Sequence, residues 1–245
     1  MSALPTLFVA GSSNFRDLAD QVHPRVPLRP RTLFRSSHLG ELDDRDIRQI
    51  QDLGVRRVVD FRGERERRGA TCAVPGVREY SLAIEPTIIQ VLKDLAAVGK
   101  HLAPEDVVLH MKDTYRNFVR HNTARFAQFF DLLLESSEPL VFHCTAGKDR
   151  TGFAAALVLH ALGASQQDIQ RDYLVTNERL KAPPGQALGL APDVASVLWS
   201  VQPGFLQAAF DAVIEDYGSL DAYLHDALAM TAPRMRELHR LYLDR

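Results

Sequence analysis

The segment Pro139–Gly152, PLVFHCTAGKDRTG, constrains this chain more than any other. Leu140-Val141-Phe142 is a short apolar run that reads as a strand, and it ends in His143 and Cys144. Compact residues follow, Thr145, Ala146 and Gly147, then three adjacent charges, Lys148, Asp149 and Arg150. From Arg150 to Leu162 the pattern is helical, and Gly163 stands where a helix C-cap belongs. A strand that turns tightly into an apolar helix must be buried in layers. A second strand-like run, VRRVVDF at 55–61, sits upstream with helical segments between them. Strands alternating with helices predict an α/β fold.

The rest of the chain supplies the layers. Residues 1–35 read as short strands and turns around a Pro-rich piece. Asp43 or Asp44 caps a helix with Ile47, Ile50 and Leu53 on one face, closed by Gly54. Residues 86–136 read mostly as helix, in two segments centred on Val107–Val119 and Phe126–Leu133. Ser165 and Asp168 form a capping pattern for a further helix. Two more helices, 205–218 and 233–244, close the chain. The charged run RGERERRG at 62–69 reads as a solvated turn, or alternatively as a contact for a phosphorylated partner. Residues 182–204 carry Pro and Gly around an amphipathic centre at Val194–Trp199. They fit a possible mobile lid or, equally, a packed helix with loops. No repeat or linker interrupts 1–245, so a single domain is expected.

Composition excludes several functions. A net charge of -2 over 245 residues offers no bulk attraction for nucleic acid or an anionic membrane surface. No run approaches the length of a membrane span, so no integral membrane segment is expected. The two cysteines, Cys72 and Cys144, are too few for a disulfide framework. With no secretory leader pattern, a cytoplasmic, reducing setting is expected. A protective disulfide between the two under oxidation is the alternative use of Cys72.

The chemistry lies in the opening segment. A nucleotide phosphate loop fails, because Asp149 follows Gly147-Lys148 and Phe142 holds the upstream glycine position. A zinc site fails, because Cys144 has no nearby cysteine partner. No metal or cofactor is expected. What remains is a loop of five residues between Cys144 and Arg150, at the start of a helix. Thr145, Ala146, Gly147 and Lys148 can aim backbone N–H groups at an anion, and Arg150 adds a planar fork. Cys144 at the base of such a cradle is favoured as the thiolate nucleophile. Thr151 is expected to donate a hydrogen bond to its sulfur, and His143 to orient the loop. This is the pattern H-C-x5-R-T, and it resembles the signature of cysteine-dependent phosphatases. Its place after residue 140 fits the protein tyrosine phosphatase superfamily.

Departure of an alkoxide or phenoxide needs a proton. Trp199 is the single tryptophan and Ser200 follows it, so the Trp-Pro-Asp sequence that carries the acid in many tyrosine phosphatases is absent. Two aspartates are candidates: Asp149 inside the loop, and Asp60 at the end of VRRVVDF beside Arg62. Each has another reading. Asp149 can neutralise its basic neighbours, and Asp60 can form a salt bridge or contact the substrate. Asn14, Arg16 and Asp17 are expected to buttress the loop, with Arg16 paired to Asp17 or Asp60.

Together with HCTAGKDRTG, the stretches NFRDLA, RTLFRSSHLGELDDRD and VVDFRGERE resemble the bacterial atypical tyrosine phosphatases of the mycobacterial tyrosine phosphatase B type. The resemblance covers most of the chain from Asn14. It implies a phosphatase fold with a central, mainly parallel sheet flanked by helices, and a helical lid. It implies Asp149 as general acid, and Lys148 as the residue linked to phosphoinositides beside phosphoproteins. A second cation on the loop rim would suit a substrate with extra phosphates. The rival functions are a phospho-ligand binding module without turnover and, more remotely, a sulfurtransferase.

Overall fold

The computed structural model describes residues 9–23, 25–85, 88, 103–181 and 190–244. Five strands form one sheet: β1 (Arg16–Asp17), β2 (Leu33–Ser36), β3 (Arg57–Asp60), β4 (Arg78–Ser81) and β5 (Leu140–His143). Their order is β1-β2-β5-β3-β4, with β1 antiparallel to β2 and every other neighbour parallel. The expected α/β architecture with a mainly parallel sheet is therefore present. The strand that leads into Cys144 lies in the middle, and Ser36, His143 and Asp60 stand in register across β2, β5 and β3. In such sheets the crevice beyond the strands' carboxyl ends is where ligands bind.

Alternation along the strands divides the core. Leu33, Val59, Leu140 and Phe142 face a large cluster, whereas Phe34, Val58 and Val141 face a smaller one. The large side is covered by α3 (Pro104–Glu135), α4 (Asp149–Ala161), α5 (Gln166–Arg179) and α7 (Pro203–Tyr217). The smaller side takes Ile50 from α1 (Asp44–Asp52) with Val9, Phe15, Val55 and Val74. Shorter or peripheral helices include α2 (Glu64–Gly69), α6 (Pro192–Leu198) and α8 (Ala232–Tyr242).

Several boundaries follow from local chemistry. Asp43 caps α1, accepting from Arg45 and Asp46 N–H, and Gly54 follows at φ 76°. Ser165 caps α5 through Asp168 N–H at 3.1 Å. The two helical segments expected within 86–136 are one unbroken helix over 104–135, because no Gly or Pro interrupts the apolar stripe from Val107 to Leu133. Residues 86, 87 and 89–102 lie outside the described part. So do residues 182–189 of the expected lid. The described remainder of that segment, α6, buries Val194 and Leu198 in the large cluster. Two elements differ from the sequence reading. Residues 78–81 form an edge strand whose exposed side chains give no apolar signal. Residues 64–69 form a helix, not a turn.

Candidate active site

The loop after β5 is shaped by where its carbonyls go. His143 O accepts from Phe61 N at 2.8 Å, and Thr145 O from His38 N at 3.0 Å. Cys144 O lies 3.0 Å from His143 Nδ1. Gly147 O accepts from both Asn14 Nδ2 and Arg35 Nη2, each at 2.8 Å. Lys148 O accepts from Gly152 N at 2.9 Å, inside the first turn of α4. With these oxygens turned into the protein, the N–H groups of Thr145, Ala146, Gly147 and Lys148 donate to no other group among the described residues. That is a nest at a helix N-terminus, the geometry that favours an anion. Cys144, buried in the large cluster, stands at its start.

Gly147 cannot be replaced here. Its φ is 64°, and a Cβ would meet Ser36 O at 2.1 Å. Behind the loop lies a buried ionic network. Asp172 on α5 accepts from Arg16 Nε at 2.8 Å and Arg35 Nη1 at 2.5 Å. Burial works against the Asp172 carboxylate, but the two guanidiniums outweigh it and hold it below its ordinary range. Burial and the nearby Arg35 lower Arg16 to about 10. Arg16 also bonds Asn14, whose own φ of 66° aims its amide at the loop. Asn14 thus buttresses the loop directly and Arg16 one step removed. The expected pairing of Arg16 with Asp17 or Asp60 is corrected: its partner is 156 residues away. Asp17 instead caps the turn that follows it, through Ala19 N.

Arg150 is set by a residue the sequence reading passed over. Glu66 of α2 accepts from Arg150 Nη1 at 2.7 Å and Nη2 at 3.0 Å, and it also accepts the Thr145 hydroxyl. Ile84 O takes Nη1 at 2.9 Å. Arg150 Nε makes no hydrogen bond among the described residues. Burial opposes the Glu66 charge, but Arg150 outweighs it and lowers the carboxyl. Burial likewise opposes Arg150, whose guanidinium is nevertheless raised by Cys144 and Glu66. The signal was present in RGERERRG, where Glu66 stands three residues after Gly63 and caps its N–H at 2.9 Å. The solvated-turn reading of that run is corrected on this account.

The two candidate acids differ in their surroundings. Asp149 begins α4, with its side chain 21% exposed. Its Oδ1 accepts from the Tyr115 hydroxyl at 2.9 Å. Both oxygens of Asp60 are taken by Arg62, Nε at 3.0 and 3.1 Å and Nη2 at 2.8 Å, and Arg62 N adds a fourth bond. Burial would raise the Asp60 carboxyl, but Arg62 prevails and lowers it. Asp60 is an ion-paired strand end, the salt-bridge reading of the two that the sequence allows.

Three further expectations change. Lys148 is not a free cation on the rim. It is 3% exposed and donates to Leu198 O at 2.6 Å and Ser200 O at 3.2 Å, the C-terminal end of α6. The Thr151 hydroxyl is buried with no partner, so its hydrogen bond to the thiol is not formed. Cys72 packs against the smaller cluster and Cys144 in the larger, and both are free thiols. A protective disulfide between them has no support in this arrangement. Burial pushes the Cys72 thiol up to about 11, and lowers His143 to about 4, so the imidazole is neutral near pH 7.

Residues 7–244 match a family described as the tyrosine phosphatase family. The triple specificity protein phosphatase PtpB of Mycobacterium tuberculosis is 34% identical, the alignment covering 92% of this chain and 96% of that one. A Cupriavidus necator protein named provisionally as a tyrosine-protein phosphatase is 36% identical, covering 91% and 84%. Among solved structures, TpbA of P. aeruginosa is 19% identical with a TM-score of 0.34, covering 77% of this chain and 93% of that one. On its match to the family over nearly its whole length, the chain belongs to the tyrosine phosphatase family and is a phosphatase.

Proposed function

We propose that the chain hydrolyses phosphotyrosine, and more broadly phosphomonoesters on proteins and inositol lipids, through a phosphocysteine. The observation that carries this is the loop itself: its carbonyls are taken up by the protein, its N–H groups have no partner among the described residues, Cys144 begins it and Arg150 closes it. The Cys144 thiolate attacks phosphorus, and an S–P bond forms as the bond to the leaving oxygen breaks. The loop N–H groups and Arg150 hold the three equatorial oxygens, where such donors contribute about 10²–10³ in rate each. Asp149 gives its proton to the leaving oxygen. Its carboxylate then takes a proton from water, which attacks the phosphocysteine, and thiolate and phosphate separate. Neutral His143 supports the Cys144 carbonyl. No metal or cofactor enters this scheme.

Phosphotyrosine is the first substrate class, since it needs nothing beyond the loop. A phosphoinositide, or PtpB-like breadth, asks for a second cation. Lys148 can serve only by leaving the α6 carbonyls. We read residues 1–245 as one domain, because the large cluster recruits side chains from Leu18 to Tyr242. Among the described residues no helix is long and apolar enough to cross a membrane. A reducing cytoplasmic setting suits a thiolate nucleophile.

A panel of phosphotyrosine peptide, phosphoserine peptide and phosphoinositide, with p-nitrophenyl phosphate and chelator as controls, tests the reading. We expect chelator-insensitive turnover, abolished in Cys144→Ser, and acid-quenched radiolabelled phosphate bound to the wild-type chain. Lys148→Ala should lose phosphoinositide turnover more than phosphotyrosine turnover. Activity surviving Cys144→Ser overturns the covalent route, and equal losses in Lys148→Ala overturn the selective role.

A further inference from the structure

Asp149 is flanked by two tyrosines that lie outside the loop. Tyr115 on α3 donates to Asp149 Oδ1 at 2.9 Å, and the Tyr173 hydroxyl on α5 stands 2.6 Å from that of Tyr115. A phenol has one hydrogen. Tyr115 gives its own to the carboxylate, so Tyr173 gives its hydrogen to Tyr115. Both side chains are buried, 0% and 1% exposed. Their rings meet edge to face at 6.2 Å, and Phe118 and Phe205 pack against Tyr115 at 5.2 and 6.1 Å. Burial above all, and then Asp149, hold both phenols well above their ordinary range, so each stays a donor. Gly152, the glycine of the Arg-Thr-Gly run, clears space for the second ring: a Cβ there would lie 3.0 Å from Tyr173.

Two hydroxyls in an aromatic core are costly unless they are satisfied, and phenylalanine would fill the same space. Their bonds lead to one place. The charged and titratable groups around the Asp149 carboxyl are Lys148 and Arg150 from its own segment, Tyr115 from α3, and Tyr173 behind it from α5. Lys148 Nζ is 3.4 Å from Oδ2, but its short bonds go to the α6 carbonyls. Among the described residues, Tyr115 alone donates a short hydrogen bond to the Asp149 side chain.

We propose that Tyr115, locked by Tyr173, is the positioning residue of the general acid: it occupies Oδ1 and fixes the carboxyl plane, so that Oδ2 carries the proton to the leaving oxygen. The proposal rests on Asp149 as the acid. It also accounts for how an acid on the rigid loop, rather than on a separate one, is kept aimed. General acids contribute roughly 10²–10⁴ in rate when correctly placed, and most when the leaving group is poor. A loosened acid should lose a part of that, graded the same way.

The test is a series of aryl phosphates from good to poor leaving groups, with kcat/KM measured for wild type, Tyr115→Phe, Tyr173→Phe, Asp149→Ala and Asp149→Ala/Tyr115→Phe. For Tyr115→Phe we expect about twofold loss at the good end and about tenfold at the poor end, with a shallower gradient in Tyr173→Phe. The extra gradient should vanish when Tyr115→Phe is added to Asp149→Ala. Thermal unfolding run alongside shows that each variant is folded. A loss in Tyr115→Phe that is uniform across the series, while Asp149→Ala stays graded, overturns the positioning role. A flat series for Asp149→Ala instead removes Asp149 as the acid. Should Tyr115→Phe not fold, Tyr173→Phe decides alone, since an ungraded series there breaks the relay.

Discussion

Asp60 and Asp149 invite comparison. Asp60 ends one of two neighbouring parallel strands and Asp149 follows the other, each lies near an arginine in sequence, and each is a reasonable proton donor on paper. Their surroundings separate them. Asp60 spends both oxygens on Arg62 in a site 7% exposed, while Asp149 gives one oxygen to a phenol and stays 21% exposed. Its arginine, Arg150, is instead held by Glu66 from another helix. A carboxylate enclosed by its own arginine is a structural tie. One whose arginine is occupied elsewhere has only the phenol on one oxygen and Lys148 at 3.4 Å from the other.

The largest effects should fall on opposite properties of the two residues. Asp149→Ala should lower kcat/KM for phosphotyrosine by about 10²–10⁴, and by leaving the buried Tyr115 hydroxyl without its acceptor it should cost about 1–3 kcal/mol of stability. Asp60→Ala strands a buried Arg62 and should cost about 3–5 kcal/mol of stability, as breaking buried pairs does, while the folded fraction keeps its dependence on leaving group. Unfolding curves and aryl phosphate kinetics on both variants decide. A rate loss in Asp60→Ala as graded as that of Asp149→Ala would erase the distinction.

Next in size is a pH effect at the base of the loop. His143 sits between these regions, its Nδ1 3.8 Å from Asp60 Oδ1, and burial lowers it to about 4. Its ordinary value is near 6.5, so between those values the unfolded chain binds the extra proton. Stability contributed by neutral His143 is complete above about pH 6.5 and is lost as pH falls toward 4, by up to about 3 kcal/mol. Urea unfolding at stepped pH should show that slope in wild type and a flatter one in His143→Gln. The same slope in both would place the acid sensitivity elsewhere.

What the sequence disclosed follows the range of each interaction. The strand–loop–helix around Cys144, the caps at Asp43 and Ser165 and the glycine stop at Gly54 are local, and the structure shows each of them. The partners that set the site are distant: Arg16 with Asp172, Arg150 with Glu66, Asp149 with Tyr115. Tyr115 lies on the apolar stripe of α3 and reads as core, which it also is, and only the structure shows that its hydroxyl meets that of Tyr173 from α5. Lys148 misled because lysine is normally solvated. Here a helix C-terminus, rich in unpaired carbonyls, takes it instead. The edge strand β4 gave no signal because an exposed strand needs no apolar alternation.

Glu66 offers the finest test of the comparison, because it is what makes Arg150 unlike Arg62. Glu66→Gln keeps the shape of the side chain and removes its charge. A glutamine can accept only on one atom: with its oxygen in the Oε1 place, Arg150 Nη2 and the Thr145 hydroxyl keep their shared acceptor, while Arg150 Nη1 and the Gly63 N–H lose theirs at Oε2. Arg150 keeps Ile84 O and so stays in the site, but its plane is no longer fixed from two sides. An equatorial array of oxygens forms only in the transition state, so loss of orientation should appear in kcat, by about tenfold or about 1.4 kcal/mol. Inhibition by inorganic phosphate, a tetrahedral anion that tolerates a looser grip, should change less than about threefold, on the logic that separates ground-state from transition-state binding. If phosphate affinity and kcat fall together, Glu66 holds the cradle's shape as a whole and not the arginine's aim. If neither moves, Arg150 is fixed by backbone carbonyls alone, and it stands closer to Arg62 than its partners suggest.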